Sequence, residues 1–276
     1  MRVMWRVSRW LVLAFVCCRS GTATAQTAVD DIASRLVGKM VFLRGMWSGG
    51  KLAFAGDGQP KQVYRTVPFT ESGLKISLVK MAGSKLQVEG QRVAMGFGST
   101  GIVTFVNDGG KATISIDDGN GDLDKAVDAI FTSDLTSMIP SMPDYWQPYA
   151  TKYFLPAGIA AREESLTTAI GFAGKLTPAQ PLHIAGPIKP PRVLHMRDPG
   201  FTDAARHAKF SGIVRIYLWV DEKGLPTHLE ILQPAGMGLD EEAIAAIQEY
   251  RFSPATLDRR PVKVDLYIDV NFQVVK

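Results

Sequence analysis

Short apolar-rich runs, some of them alternating at period two, follow one another along the first part of the chain, bounded by Gly, Asp, Pro or Ser. Such runs between turn residues mark strands. They predict strands over residues 40–44, 51–55, 62–68, 74–81, 85–89, 92–97, 102–107 and 111–117. The pairs Gly49-Gly50, Asp57-Gly58 and Gly83-Ser84, and the triplet Asp108-Gly109-Gly110, suit hairpin turns, so an antiparallel meander is expected. The period then lengthens. Leu123, Val127, Ile130 and Phe131 recur at helical spacing behind Asp122, whose carboxylate suits an N-cap. Tyr145, Trp146, Tyr149 and Tyr153 gather where a helix is expected to cover one sheet face, as packing and not as a ligand box.

Five prolines between Leu176 and Arg192 resist both helix and central strand. Residues 176–191 therefore read as an extended linker between a β-rich region, 26–175, and a second domain, 192–276. In the latter, Val214, Ile216, Leu218 and Val220 share one face of a strand, and Arg215, Tyr217 and Trp219 take the other. Residues 221–224 turn, and 227–233 return with Leu229 and Ile231 inward. Leu239, Ala243, Ile247 and Tyr250 form a helical stripe, with Asp240, Glu241 and Glu242 in a first turn where the helix dipole favours acids. The last strand alternates longest. Val262, Val264, Leu266, Ile268, Val270, Phe272 and Val274 face one way, and Lys263, Asp265, Tyr267, Asp269, Asn271 and Gln273 the other. Strand, strand, helix, strand on two layers follows, so the fold class is α+β: a β-rich antiparallel domain with helices, then a three-stranded antiparallel sheet packed with helices.

The first 25 residues change how charge is read. Arg2, Arg6 and Arg9 precede an apolar run, and Ala23-Thr24-Ala25 supplies a small-x-small cleavage pattern, so a signal peptide is expected to leave before Gln26. An inner-membrane anchor is the alternative, but nine apolar residues fall short of the roughly 20 a span requires. Export would remove four arginines and leave 27 basic against 27 acidic residues. The net charge of +4 thus gives no argument for nucleic acid or anionic lipid. Cys17 and Cys18 leave with the same segment, and Val16 before Cys17 does not suit lipidation. No disulfide or thiolate metal site is then expected.

Spaced motifs in the last 85 residues or so resemble the C-terminal domain of the TonB energy-transducer family. They are Ala205-Arg206, Gly212-Ile213-Val214, Val220-Asp221-x-x-Gly224, Leu239-Asp240-x-x-Ala243, Tyr250-Arg251-Phe252-x-Pro254-Ala255 and Pro261-Val262. The resemblance implies a periplasmic protein-binding module and not an enzyme, with no cofactor. Its partner would be an outer-membrane TonB-dependent receptor or another envelope protein, gripped by strand addition at a sheet edge; a homodimer is also allowed, and the membrane is met only through partners. The long final strand is the expected edge, with Tyr267, Asp269, Asn271 and Gln273 as partner-binding candidates. The sequence departs from the family where Phe201-Thr202 replaces Tyr-Pro, and where a cleavable-looking leader and short linker replace an anchor and long spacer. A competing reading is a small-molecule or lipid carrier whose last domain serves assembly only.

Other motifs weigh less. Gly96-x-Gly98-x-x-Gly101 resembles a dinucleotide fingerprint, but a strand follows it where a helix is required. Asp118-x-Asn120-x-Asp122 has calcium-loop spacing, yet Leu123 and Ala129 stand where a loop glycine and a bidentate acid belong, so a turn with a helix cap is the better reading. His183, His195, His207 and His228 are too scattered for a zinc site.

Overall fold

A computed structural model describes residues 20–98, 103–118, 122–155 and 180–274, with side chains from residue 26. Most of the expected leader lies outside these residues, as do the first part of the linker and the centre of the Asp118–Asp122 loop. The first helix, α1 (Ser20–Leu36), runs across the expected cleavage point. Among the described residues no helix is long and apolar enough to cross a membrane.

The N-terminal sheet contains β1 (Met40–Leu43), β2 (Lys51–Phe54), β3 (Gly73–Met81), β4 (Lys85–Phe97), β5 (Val103–Asp117) and β6 (Phe131–Thr132), in the order β2-β5-β4-β3-β1-β6. The β3–β4–β5 meander is antiparallel, whereas β2 joins β5 in parallel. Two expected breaks are absent. Residues 85–97 form one strand and 103–117 another, because Asp108-Gly109-Gly110 makes an irregularity within a strand and not a turn. Gly109 takes φ +85°, the Asn107 and Asp108 side chains accept from the Gly109 and Gly110 amides, and the register slips opposite, between Gln91 and Val93. Such a bulge bends a long strand without ending it. Residues 62–68 form no strand; beside the isolated Trp47–Thr66 bridge, the Arg65 carbonyl accepts from Ser48, Val67 donates to the Met46 carbonyl, and the Tyr64 hydroxyl accepts from the Ala53 amide. Val63 within them is fully exposed.

Helix α2 (Leu123–Ile130) packs beside α1, burying Leu123, Ala126, Val127 and Ile130 with Ile32, Leu43, Phe54, Leu74 and Ile114. Its N-cap is Asp122, accepting from the Asp124 and Lys125 amides at 3.1 and 3.3 Å. Phe131 breaks from the helical stripe and enters β6.

In the C-terminal region β7 (Arg192–His195) is followed by α4 (Asp203–His207), β8 (Gly212–Val220), β9 (Pro226–Gln233) and α5 (Leu239–Gln248). Then come β10 (Arg251–Ser253), β11 (Ala255–Leu257), β12 (Arg260–Val262) and β13 (Val264–Phe272). The main sheet has the order β13-β8-β9 and is antiparallel throughout. The long final strand is interrupted at Lys263: β12 folds back on β11 through Asp258 and Arg259, both at positive φ. Val264 nevertheless keeps its inward phase and is fully buried. Gly224 occupies the β8–β9 turn at φ +79°, where a Cβ would lie 1.9 Å from the Phe252 carbonyl oxygen. Only glycine fits there.

One buried cluster joins the two regions. It runs from Phe42, Met95, Phe97 and Trp146 through Met237 and Leu239 to Val214, Leu218 and Phe272. The aromatic group anchors it from α3 (Gln147–Phe154): Trp146 is fully buried, edge-on to Phe69 at 5.6 Å, and Tyr149 meets Phe97 at 5.8 Å. Backbone bonds reinforce the seam. Phe97 donates to the Ala235 carbonyl and Met237 to that of Met95, both at 2.8 Å, while Gly238 donates to the Thr70 hydroxyl at 2.9 Å. Between them Gly236 stands at φ +86°, where a Cβ would meet the Met95 oxygen at 2.2 Å. Gly236→Ala is therefore expected to destabilise the protein by about 2 kcal/mol or more, since both the backbone and the space refuse the methyl. Urea unfolding measures this, and a loss below about 0.5 kcal/mol would mean that the seam gives way easily.

Candidate partner-binding edge

A strand edge can accept another strand only if its outward N–H and C=O groups are free. The sheet β13-β8-β9 has two edges, and they differ. At β9, Ile231 donates to the Tyr145 carbonyl at 2.9 Å, and α3 lies alongside. The N-terminal region thus occupies that edge at Ile231.

The β13 edge is open over most of its length. Its polarity follows from one contact: the Asp265 amide donates to the Leu182 carbonyl at 3.2 Å, and the Leu182 amide donates to that of Lys263 at 2.9 Å. Residues 263 and 265 therefore point their backbone groups away from β8. Successive residues alternate, so Tyr267, Asp269 and Asn271 point theirs outward as well. Among the described residues no backbone partner meets these three on that side. Their register opposite Tyr217, Arg215 and Ile213 makes each a closely spaced cross-strand pair.

Side chains follow from that spacing. Arg215 clasps Asp269 with two 2.7 Å bonds, which hold the Asp269 carboxyl below its ordinary range. Tyr267 is more than half exposed and lies 5.3 Å from the Tyr217 ring. Beyond it the same face carries Trp219, buried by stacking on His228 at 4.1 Å and under the Lys263 ammonium at 5.4 Å. The opposite face carries Leu266 and Ile268, both only partly buried at the rim of the core. Asn271 is exposed within β13, and Gln273 is exposed one residue past its end. All four candidates thus share one side of one edge. Leu182, which occupies the start of that edge, lies within the expected proline-rich linker.

The most perturbed acids lie elsewhere, where α5 starts against the N-terminal region. Asp240 is fully buried and accepts from the Ala235 and Gly236 amides at 2.8 and 2.7 Å, clamping the seam loop. Burial, with Glu241 beside it, pushes its carboxyl upward. Glu241 accepts from the Trp146 indole N–H at 2.8 Å, and burial raises it too. Glu71 reaches the start of α5 at Gly238. Burial first, then the charges of Glu241 and Asp108, push it up to about 7.

Comparison with known proteins bears on the region of this edge. The family model described as Gram-negative bacterial TonB protein C-terminal matches residues 197–274. Protein TonB of Vibrio cholerae serotype O1 (strain ATCC 39315 / El Tor Inaba N16961) is 31% identical over 87 residues, 31% of this chain and 36% of that protein. The chain therefore spans only about a third of that curated relative's length. The solution NMR structure of the Pseudomonas aeruginosa TonB CTD covers 33% of this chain and 91% of its own, at 20% identity and a TM-score of 0.28.

The junction acids predict a pH dependence. Glu71 has a folded-state value of about 7 against an ordinary 4.5, so the folded protein holds this proton more tightly than the unfolded chain. Its contribution favours folding fully below about 4.5 and is lost as pH rises through 7. Glu71→Gln, neutral throughout, should match the wild type near pH 4 and be more stable at pH 8 by on the order of 2 kcal/mol, discounted because the carboxyl is partly solvated. Urea unfolding at the two pH values reads the difference, and an equal effect at both would sink the assignment.

Proposed function

Since residues 197–274 carry a TonB-type C-terminal domain, we propose that the chain is an exported, periplasmic protein-binding module that grips an extended segment of an envelope partner along β13. The expected partner class is an outer-membrane TonB-dependent receptor. The single observation that carries this reading is the β13 edge itself, where Tyr267, Asp269 and Asn271 meet no backbone partner on their outward side among the described residues.

The chemistry of that edge describes the segment it suits. A strand laid beside β13 would place alternate side chains over Leu266 and Ile268, so apolar residues belong there. The intervening side chains would pass Tyr267, Asn271 and Gln273, a polar surface with one aromatic ring. Asp269 is already held by Arg215, so its charge is largely satisfied and it contributes mainly through its backbone. Each backbone bond gains a net of about 0.5–1.5 kcal/mol, while association alone costs roughly 4–15 kcal/mol. Three outward residues do not cover that cost. The apolar contacts must supply the rest, and they make the interaction selective for an amphipathic strand.

Proline at position 269 removes an outward N–H yet spares the bonds to β8, a substitution an edge strand tolerates. Isothermal titration of the full chain with a peptide copying the periplasmic-facing segment of a TonB-dependent receptor should show Asp269→Pro weakening binding about tenfold, as does the loss of about 1.4 kcal/mol. Asp269→Asn, which keeps the N–H, should bind nearly as the wild type does. Equal affinity of the proline variant and the wild type would count against edge pairing.

A further inference from the structure

The edge proposed to take a partner is already occupied at one end by the chain itself. Leu182 forms a parallel bridge to Val264, with hydrogen bonds of 2.9 and 3.2 Å to Lys263 and Asp265. The next residue, His183, sets Nδ1 3.1 and 3.3 Å from the two Asp265 carboxylate oxygens, and that carboxylate is mostly buried while the imidazole is exposed. Leu182 therefore makes the same kind of contact that a partner strand would make, two outward backbone bonds of β13.

The segment is held from its far side. Ile184 and Ile188 pack on the shared core, Gly186 turns the chain at φ +57°, and Lys189 exchanges bonds of 2.8 and 3.0 Å with Thr256. From there it enters β7, paired with β10. Among the described residues the contact of this segment with the binding edge is confined to Leu182 and His183, and it is slight: two backbone bonds and one exposed side chain. Because Leu182 runs parallel to β13, its continuation would travel along the edge towards Tyr267. The turn at residues 185–188 diverts it instead.

We propose that Leu182 and His183 form a self-latch, a piece of the chain's own strand that closes the Lys263–Asp265 end of the edge and must detach before a long strand can bind along all of β13. This rests on the edge-pairing reading above. With the latch closed, three outward residues remain, Tyr267, Asp269 and Asn271, enough for a strand of about five residues, since every second residue bonds to the edge. With the latch open, the outward groups at 263 and 265 extend the edge by two further positions. The device discriminates by length: short amphipathic strands bind without disturbing it, and longer ones compete with Leu182.

Leu182→Pro tests this, because it removes the amide that donates to Lys263 at a half-exposed position already preceded by Pro181. His183→Ala serves as a second variant that leaves the backbone intact. Two synthetic peptides of alternating Val and Thr, five and ten residues long, are titrated into the full chain and both variants. The latch predicts that Leu182→Pro, which loses the amide bond to Lys263 and so frees the segment, binds the ten-residue peptide about tenfold more tightly than wild type does, with a smaller gain for His183→Ala. The five-residue peptide should bind all three proteins alike. Hydrogen exchange should show the Asp265 amide protected in wild type and released in Leu182→Pro. Equal affinity of the long peptide for all three proteins, with the short one also binding, would overturn the latch and leave edge pairing standing. Failure of both peptides to bind any of the proteins would overturn edge pairing itself, and the latch with it.

Discussion

The seam between Met95–Phe97 and Ala235–Met237 is the contact on which the rest of the structure depends. Two backbone bonds of 2.8 Å tie the end of β4 to the loop before α5, and Gly236 lets the two backbones approach closely. Asp240 holds that loop from below by accepting two of its amides. Above it, Trp146 is fully buried and donates to Glu241. A loop fixed from both sides fixes the start of α5, and α5 supplies the layer against which β8, β9 and β13 pack.

The same contact bears on the far edge of the small sheet. With the two regions joined at this seam, α3 lies beside β9 and Tyr145 accepts from the Ile231 amide. The cost is electrostatic. Glu71, Asp240 and Glu241 are crowded into a poorly solvated junction, and each favours its protonated form more than a carboxyl in water does.

Much of this was legible in the sequence, because alternation reports burial directly. The inward set Val214, Ile216, Leu218 and Val220, the stripe of Leu239, Ala243 and Ile247 on α5 and the phase of the last strand lie where their period put them, while Tyr250, the last of that stripe, falls beyond the helix. The turn at Gly224 and the cap at Asp122 were legible for the same local reason. What the pattern missed was non-local. Asp108-Gly109-Gly110 has the residues of a hairpin, and only the pairing of β4 with β5 on both sides of it makes it a bulge. Residues 62–68 have the composition of a strand without being one. Lys263 interrupts the last strand without altering its phase. The aromatic group around Trp146 was expected to cover a sheet of its own region; that it also meets α5 depends on the partner Glu241, nearly a hundred residues away. Gly236 carried no local sign of its role, and the pairing of Leu182 with Val264 has no signature in a proline-rich run.

The nine-residue register between β8 and β13 has a mechanical side. A strand added to the β13 edge would lie along the same axis, so tension on it, directed along the strands, would load the ladder bonds in shear and together. Force applied across the strands would instead open them one at a time, from an end. Loaded lengthwise, the small sheet is thus a stiff element. Because β8 and the loop before α5 share a core with β4 and Trp146, the load would pass into the body of the N-terminal region before reaching the proline-rich segment. The two regions would then respond to such a pull as one piece.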